Sequence, residues 1–500
     1  MLSLIHRSIT ELPEREAFFI QGRSHTYADL GRKVAAVRRA LGGSPGEQNI
    51  GIVAHDDLET YASVLGVWFA GKTMVPLNPA SPPDRNGSML DQAGVHVLLA
   101  SQPGFAGLGG RADTRFIETA NLEAPPGPPE PPADRKDEDL AYILFTSGST
   151  GVPKGVPIGH GALRAFLDAF HALGHEVGPA DRVLQMFDLT FDLSLMSYCV
   201  PLSVGASVVT VPPTGIKYME IYRLLEEQEI TVALLVPSIL AHLRPYLDEI
   251  ELPRMRASLF CGEALHDDLV SAWSRCVPSA RVQNVYGPTE ATIFCLAFEC
   301  RRGGPSKSQN GIVSVGRPMK HTGVLIVDED QRPVTRGQKG ELCLSGAQLT
   351  PGYWNNPGKN REAFFEHGGV VHYRTGDLCF EDEAGDVMYA GRLDHQIKIQ
   401  GYRVELSEIE HHVREISGAG QVAAVACPDA AGNLIIHLFI AAPGIDVERT
   451  LARLAEKVPP YMIPSRTVVL EALPQNANGK IDRPALVTMG VAGPQTRFMK

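Results

Sequence analysis

Residues 142–155 read YILFTSGSTGVPKG, an apolar run followed by a loop rich in glycine and hydroxyl side chains. The apolar half predicts a buried β-strand. The loop has the composition of a polyphosphate site, because glycines let the backbone approach while amides, hydroxyls and Lys154 supply donors and charge. It is not a P-loop, whose GxxxxGK[ST] pattern opens directly into a helix. Pro157 soon follows the lysine and argues against an immediate helix. The stretch therefore predicts a phosphate-binding loop that is not a P-loop.

The composition of the whole chain is that of a globular enzyme. Its 500 residues are too many for one hydrophobic core and predict at least two domains. The net charge of -11 argues against a nucleic-acid partner. No apolar run approaches the ~18–20 residues that span a bilayer, so we expect no membrane insertion. Eight scattered cysteines without a CxxC pair, and an N-terminus without a secretory hydrophobic region, predict a cytoplasmic protein.

Hydrophobic periodicity predicts an α/β architecture. Thr26 and Asp29 have the spacing of a capping box, and apolar residues recur at helical spacing from Leu30 to Leu41. Short β-branched runs then alternate with helical patterns, which favours α/β layers around a largely parallel sheet. The predicted strands are 50–54, 96–100, 182–187, 207–211 and 232–236, and the predicted helices are 218–229 and 267–276.

Changes in sequence texture predict the domain boundaries. Residues 124–133 contain six prolines and are expected to form an extended connector. From Gly323 to Gly346 a strand–turn–strand pattern predicts an antiparallel subdomain. After residues 392–396, a helix at 407–416 and strands at 422–426 and 434–441 predict a small α+β domain. We therefore predict an N-terminal domain at 1–393, a C-terminal domain at 394–490 and a tail at 491–500.

Five further polar segments follow the phosphate loop in order. They are FDLS at 191–194, NVYGPTE at 284–290, YRTGDL at 373–378, GRLDHQIK at 391–398 and NANGKIDR at 476–483. With the loop, they resemble the core motifs of the adenylate-forming (ANL) superfamily, specifically its amino-acid-adenylating branch. The resemblance implies a large N-terminal domain of layered α/β subdomains plus a β-rich subdomain, and a small mobile α+β C-terminal domain.

The resemblance also implies a two-step reaction that uses ATP and Mg²⁺. A carboxylate joins the α-phosphate of ATP, pyrophosphate leaves, and the acyl group then passes to a thiol. Lys480 would bridge the substrate carboxylate and the α-phosphate and stabilise the developing charge. The implied nucleotide ligands are Thr146, Ser147, Gly148, Ser149, Thr150 and Lys154 for the β- and γ-phosphates, Thr289 for the α-phosphate, Glu290 for Mg²⁺, Tyr286 at adenine, Asp377 with Arg392 at the ribose, and Asn284 as a further cofactor-binding residue.

A moving C-terminal domain is a further implication of the resemblance. The domain would rotate about Asp394 between the two half-reactions, withdrawing Lys480 and bringing in residues 396–404. The thiol acceptor would be the phosphopantetheine of a separate carrier protein, because the chain after Arg483 is too short for a fused carrier domain. The next predicted helix begins near Glu405, Glu408 and Glu410. Their side chains are predicted to cap this helix and to face solvent.

Asp192 is predicted to lie in an apolar, strand-like context between Phe191 and Leu193, and it carries the prediction of an amino-acid substrate. In the amino-acid branch this position pairs with the substrate's α-ammonium, whereas acyl and aryl ligases lack the carboxylate. The family's pocket positions correspond to Asp192, Leu193, Met196, Ser238, Leu259, Cys261, Val285, Ile293 and Phe294. This wall has no second charge and several bulky side chains, so we expect a small amino acid, alanine first, with glycine or serine next.

Several alternatives remain open. The strings at 191–196 and 259–263 resemble D-alanine–carrier protein ligases of teichoic-acid D-alanylation, although Val285 and Phe294 depart from that pattern. A stand-alone adenylation enzyme of nonribosomal peptide or other natural-product biosynthesis would show the same motifs. An acyl- or aryl-CoA ligase is disfavoured by Asp192, and a non-catalytic nucleotide-binding scaffold by the presence of Lys154, Glu290 and Lys480.

Overall fold

A computed structural model describes residues 1–44, 46–102, 113–148, 151–394, 396–442, 444–475 and 481–492. Its α-helices are α1 Leu2–Glu11, α2 Tyr27–Leu41, α3 Leu58–Phe69, α4 Pro83–Ala93, α5 His160–Ala172, α6 Leu193–Val204, α7 Lys217–Glu227, α8 Pro237–Leu243, α9 Asp267–Cys276, α10 Pro357–Ala363, α11 Leu406–Ser417, α12 Val447–Ala455 and α13 Arg483–Ala492. None of these helices is long and apolar enough to cross a bilayer.

The strands alternate with the helices through most of the chain. They are β1 Glu16–Ile20, β2 Arg23–Thr26, β3 Asn49–Val53, β4 Thr73–Leu77, β5 Val97–Ala100, β6 Arg115–Glu118, β7 Leu140–Thr146, β8 Lys154–Gly159, β9 Arg182–Gln185, β10 Ser207–Thr210, β11 Val232–Leu235, β12 Ala257–Phe260, β13 Arg281–Tyr286, β14 Leu296–Glu299, β15 Ser308–Gln309, β16 Ile312–Val313, β17 Arg317–Pro318, β18 Thr322–Val327, β19 Gly340–Gly346, β20 Phe364–His367, β21 Val370–Glu381, β22 Val387–Arg392, β23 Gln396–Ile399, β24 Tyr402–Glu405, β25 Gln421–Pro428, β26 Leu434–Ala441 and β27 Arg466–Leu470.

The predicted capping box begins α2. Thr26 accepts a hydrogen bond from the Asp29 amide, and the Asp29 carboxylate accepts one from the Thr26 amide at 2.9 Å. The apolar positions Leu30, Val34 and Leu41 are then fully buried. Local hydrogen bonding and helical periodicity agree here, which explains why this element is predictable from sequence.

Two large sheets form the N-terminal layers. One has nine strands in the order β17-β14-β13-β12-β11-β9-β10-β1-β2, and the other has six in the order β6-β5-β3-β4-β7-β8. The central pairs of both sheets are parallel, and antiparallel strands lie at both edges of the nine-stranded sheet and at the β8 edge of the six-stranded sheet. The predicted α/β architecture is therefore confirmed. The phosphate-loop sequence joins β7 to β8 at the edge of the six-stranded sheet.

A smaller antiparallel sheet places two of the predicted nucleotide ligands. It runs β18-β19-β21-β20, with β22 also paired to β21. In the β21–β22 register, Asp377 lies directly opposite Arg392. Cross-strand pairing thus fixes an aspartate beside an arginine at the edge of this sheet.

The chain beyond Arg392 builds separate structure. Strands β23 and β24 form a hairpin, and α11 and α12 pack with the three-stranded sheet β25-β26-β27 around a core of their own. The predicted division between residues 393 and 394 stays a prediction. Val491 and Ala492 of the predicted tail still belong to α13. All eight cysteines of the chain are buried and unpaired.

Candidate active site

The phosphate-loop hairpin brings Thr146 and Lys154 together as cross-strand partners. The Thr146 hydroxyl is buried and has no hydrogen-bond partner in the part of the chain that the structure describes. The Lys154 ammonium lies 5.5 Å from the centre of the Tyr353 ring. Burial, with Arg403 nearby, lowers the pKa of Lys154, although Glu290 and Glu405 oppose that shift. The predicted ligands Ser149 and Thr150 lie outside the described residues.

Glu290 is a completely buried carboxylate beside this loop. Arg403 Nη1 contacts its two oxygens at 2.8 and 2.9 Å, and the Tyr353 hydroxyl donates to it at 2.6 Å. Burial alone would raise the pKa of Glu290, but Arg403 and the Tyr353 hydrogen bond lower it to about 2. A permanently ionised carboxylate near a phosphate loop fits Mg²⁺, which takes oxygen ligands and bridges phosphates.

A cavity of about 840 Å³ is lined by some of the predicted nucleotide ligands and by three of the nine predicted pocket residues, whereas Asp192, Lys154 and Glu290 are not among its lining residues. Tyr286 donates a hydrogen bond to Asp377, and Arg392 Nη1 contacts the same carboxylate at 2.6 Å. Tyr286 and Arg392 thus fix the position of the Asp377 carboxylate, and Asp377 lines the cavity. The predicted site residues that line the cavity are Ser238, Cys261, Asn284, Val285, Tyr286, Asp377 and Arg392.

Asp192 is predicted to lie in a strand-like context, and that local prediction is wrong. It immediately precedes α6, with φ −62° and ψ −27°, yet its side chain makes no capping hydrogen bond. The side chain is buried, and its Oδ2 atom has no hydrogen-bond partner among the described residues. Burial raises the pKa of Asp192 to about 6, although Thr289 and Lys398 counteract this. Buried polar atoms are nearly always paired, so this oxygen suits a cationic ligand.

The remaining pocket positions are buried apolar or small side chains. Met196, Leu259 and Phe294 are fully buried, and Phe166 packs edge-on against Phe294 with ring centres 4.9 Å apart. The Ser238 hydroxyl lacks a hydrogen-bond partner within the described ranges. Burial raises the pKa of Cys261 to about 12. Leu193, Val285 and Ile293 complete the buried set.

Comparison with known families agrees with this geometry. The profile of the family described as AMP-binding enzyme matches residues 5–354. The chain belongs to the AMP-binding enzyme family. The proteins that it resembles include synthases such as tyrocidine synthase 3 and solved adenylation domains such as AlmE.

Three relatives illustrate what this AMP-binding enzyme resembles. Tyrocidine synthase 3 of Brevibacillus parabrevis is 33% identical over 496 residues, which are 97% of this chain but 8% of that protein. The Vibrio cholerae adenylation domain AlmE, in complex with glycyl-adenosine-5'-phosphate, is 26% identical with a TM-score of 0.87, covering 98% of this chain and 97% of AlmE. Holo-PA1221, an NRPS protein with adenylation and PCP domains, is 25% identical with a TM-score of 0.85. The match covers 97% of this chain and 83% of PA1221. The chain therefore spans only a small part of the synthase that it matches.

Residues 396–404 of this AMP-binding enzyme lie in the site. The Gly401 amide donates to Glu263 at 2.9 Å, and the Arg403 carbonyl accepts from the Ser147 hydroxyl at 2.9 Å. At the predicted hinge, the Asp394 carboxylate accepts from Arg392 Nε at 2.6 Å. Lys480 lies outside the described residues, so its catalytic role stays a prediction.

Glu405 occupies the predicted capping position before α11, although its side chain makes no capping hydrogen bond, and the prediction of solvated side chains is wrong for Glu408 and Glu410. Glu408 is fully buried and Glu410 nearly so. Glu410 contacts Arg483 at 2.7 Å, which ties α11 to α13. Buried charged side chains are usually paired, and Glu408 and Glu410 each have a partner far away in the sequence, although Glu410 also contacts Arg414 one turn along α11.

Arg403 and Tyr353 are the site residues that sequence reasoning missed. Arg403 follows Gly401 in a short hairpin and has no local feature that separates it from a surface arginine. Its partner Glu290 lies 113 residues away in the sequence. The one local signal in the sequence is that Arg403 lies between the apolar residues Tyr402 and Val404. A charged residue inside a short apolar strand pattern indicates a charge that is partly buried.

Proposed function

We propose that this AMP-binding enzyme adenylates a small amino acid and transfers it to the phosphopantetheine thiol of a separate carrier protein. The observation that carries the proposal is the buried Oδ2 atom of Asp192, which has no hydrogen-bond partner among the residues that the structure describes. An ionised carboxylate in an apolar cleft needs a cationic partner, and the α-ammonium of an amino acid supplies one. Acetate or benzoate would leave this charge uncompensated.

The proposed substrate is small because three of the predicted pocket residues are bulky and fully buried. Met196, Leu259 and Phe294 expose no surface, and none of the other eight pocket residues is charged. Alanine is the first candidate, including D-alanine for teichoic-acid D-alanylation, with glycine and serine next. That AlmE was solved with glycyl-adenosine-5'-phosphate supports a small substrate in a fold of this kind.

The proposed adenylation chemistry assigns roles to the phosphate and nucleotide residues. Lys154 and the loop amides would hold the β- and γ-phosphates, and Asp377 with Arg392 would hold the ribose. Glu290 would bind Mg²⁺, which when bound supplies positive charge that bridges the phosphates. Lys480 would stabilise the charge that develops as pyrophosphate leaves. No general base is needed, because the substrate carboxylate is already ionised at neutral pH.

The proposed thiol acceptor is a carrier protein. The same cavity of about 840 Å³ is lined by Cys261 and, beyond the predicted hinge, by Asn433 and Tyr461. It therefore lies between the predicted N-terminal and C-terminal domains. PA1221 combines adenylation and PCP domains in one protein, which supports a carrier as the partner. Transfer to a separate carrier, and the cytoplasmic location, stay proposals.

An ATP–pyrophosphate exchange assay tests the proposed function. D- and L-alanine, glycine and serine are compared with larger amino acids, acetate and benzoate. We expect exchange with one or more small amino acids and none with acetate or benzoate. Preference for acetate or benzoate would favour an acyl- or aryl-CoA ligase, and exchange with no carboxylate would favour the scaffold alternative. Loading of a purified phosphopantetheinylated carrier then tests the second step.

A further inference from the structure

Two adjacent histidines and a glutamate meet near the C-terminal end of α11. His411 Nε2 lies 3.5 Å from Glu415 Oε1, and His412 Nδ1 lies 3.7 Å from Glu415 Oε2. The ligand atoms of the three side chains all lie within 4.8 Å of one another. Within the described parts of the chain, no other three histidine, cysteine, aspartate or glutamate side chains bring their ligand atoms so close together.

The spacing of these residues on the helix explains why they meet. Glu415 follows His411 by four residues and His412 by three, and side chains at these spacings are neighbours on a helix surface. Two imidazole nitrogens and one carboxylate oxygen form a donor set that zinc uses in sites with one position left for water. In a tetrahedral zinc site, neighbouring ligand atoms lie roughly 3.3–3.5 Å apart. The distances in α11 are within a few tenths of an ångström of that geometry.

The loop between β7 and β8 holds the two imidazole rings in place. Gly151 has a φ of 79°, and a Cβ atom there would lie 3.0 Å from His411 Cδ2 and 3.1 Å from His412 Nε2. The loop backbone therefore packs on the Nε2 edge of His412, and its Nδ1 atom is the one near Glu415. Rings that are already restricted lose less entropy when they bind an ion.

The cluster is also accessible to an ion from solvent. The His412 side chain is 14% exposed, whereas those of His411 and Glu415 are 43% and 62% exposed. Burial lowers the pKa of His412, although Glu408 and Glu415 oppose that shift. Its imidazole is therefore uncharged at neutral pH, which is the form that binds metals. A cation between His412 and Glu415 would then supply the positive charge that the carboxylate faces.

We propose that His411, His412 and Glu415 bind Zn²⁺ or a similar borderline divalent cation, with water in the remaining coordination position. Imidazole ligands favour zinc, whereas Mg²⁺ takes oxygen ligands. The site shares no residue with the Mg²⁺ site predicted at Glu290. The inference goes beyond the proposed function, because zinc binding requires neither ATP nor an amino acid.

Isothermal titration of the full chain with Zn²⁺ tests the inference. The buffer contains excess Mg²⁺, to saturate sites made of oxygen ligands, and no ATP. We expect the wild type to bind about one Zn²⁺ per chain, and His411→Gln and Glu415→Gln each to weaken binding at least about tenfold. His367→Gln is the matched control, because the His367 ring lies 6.3 Å from that of His372 but belongs to no such three-residue group in the described ranges. This control should bind Zn²⁺ like the wild type.

A second measurement reports the coordination directly. Co²⁺ bound to the wild type should show the visible absorption of a four-coordinate site, and His411→Gln should lose it. Equal zinc affinity in the wild type, His411→Gln and Glu415→Gln would overturn the inference, and so would the absence of zinc binding by the wild type. A loss of affinity in His367→Gln as large as in His411→Gln would also refute it. Pyrophosphate exchange in zinc-free magnesium buffer tests the proposed function separately, so the two can fail independently.

Discussion

Replacing Asp192 by asparagine should weaken catalysis while stabilising the fold. The substitution keeps the shape of the side chain and removes only its charge. In the free protein that charge is 4% exposed, its Oδ2 atom is unpartnered among the described residues, and its pKa is raised to about 6 from 3.8. A buried carboxylate in this state destabilises the ligand-free protein, and a bound cation relieves that cost.

The two effects have opposite signs and comparable size. A difference of about two pH units between the folded and unfolded pKa values corresponds to about 3 kcal/mol that asparagine should return at neutral pH. Because the folded pKa of Asp192 is raised, the free energy of unfolding of the wild type should fall relative to the variant as pH rises from about 4 to 6. Loss of the pair with the substrate ammonium should cost about 2–5 kcal/mol, a 30- to several thousand-fold fall in kcat/KM for the amino acid.

Urea unfolding at pH 5 and 7.5, combined with pyrophosphate exchange, measures both effects on one variant. Asp181→Asn is the matched control. Asp181 is also buried, but Arg256 Nη2 lies 2.5 Å away, and its pKa is lowered because Arg256 and the Gly178 amide outweigh the effect of burial. The control should therefore lose stability. A destabilised Asp192→Asn variant that still uses the amino acid within about fivefold of wild type would refute the charge assignment.

Three further predictions concern the site and the hinge. The KM for the amino acid should rise about tenfold per pH unit below about 6, because protonated Asp192 cannot pair with an ammonium. The KM for ATP should stay level between pH 5 and 8. Parallel changes in the two KM values would contradict this prediction. Phe294→Ala should admit larger aliphatic amino acids in the exchange assay and lower the free energy of unfolding by about 3–5 kcal/mol, and an unchanged substrate range would exclude Phe294 from the pocket. Asp394→Pro should restrict the hinge and impair either pyrophosphate exchange or carrier loading far more than the other, so an equal loss in both would argue against hinge rotation.

Sequence reasoning succeeds where local and periodic signals agree. Strand β26 is predicted at its observed bounds, Leu434–Ala441, and helix α9 at Asp267–Cys276. Other predicted elements, such as α7 at Lys217–Glu227, differ by one or two residues at their ends, where helices fray. The antiparallel texture of residues 323–346 also corresponds to a real pair, β18 with β19.

The error at Asp192 has a physical cause. Apolar residues alternate at Phe191, Leu193 and Leu195, which is the period of a strand. In the structure, residues 193–203 form a helix that is buried on all sides, so no polar face interrupts the pattern and reveals the helical period. Composition alone cannot distinguish a fully buried helix from a buried strand.

The buried ion pair of Glu408 could not be predicted from the sequence for a different reason. Glu408 pairs with Arg85, which lies 323 residues earlier in the chain. Such partners meet only after two independently built parts of the fold come together. Residue type and helical position then suggest a solvated glutamate, which is the usual outcome for this residue.

The buried cysteines have a chemical consequence for an enzyme of this kind. An acyl adenylate is an electrophile, and Cys261 lines the cavity in which it would form. With the pKa of Cys261 raised to about 12, only about one thiol in 10⁵ is a thiolate at neutral pH. Burial therefore keeps this thiol protonated and weakly nucleophilic, so in the proposed reaction it would compete little with an incoming, solvated thiol for the acyl adenylate.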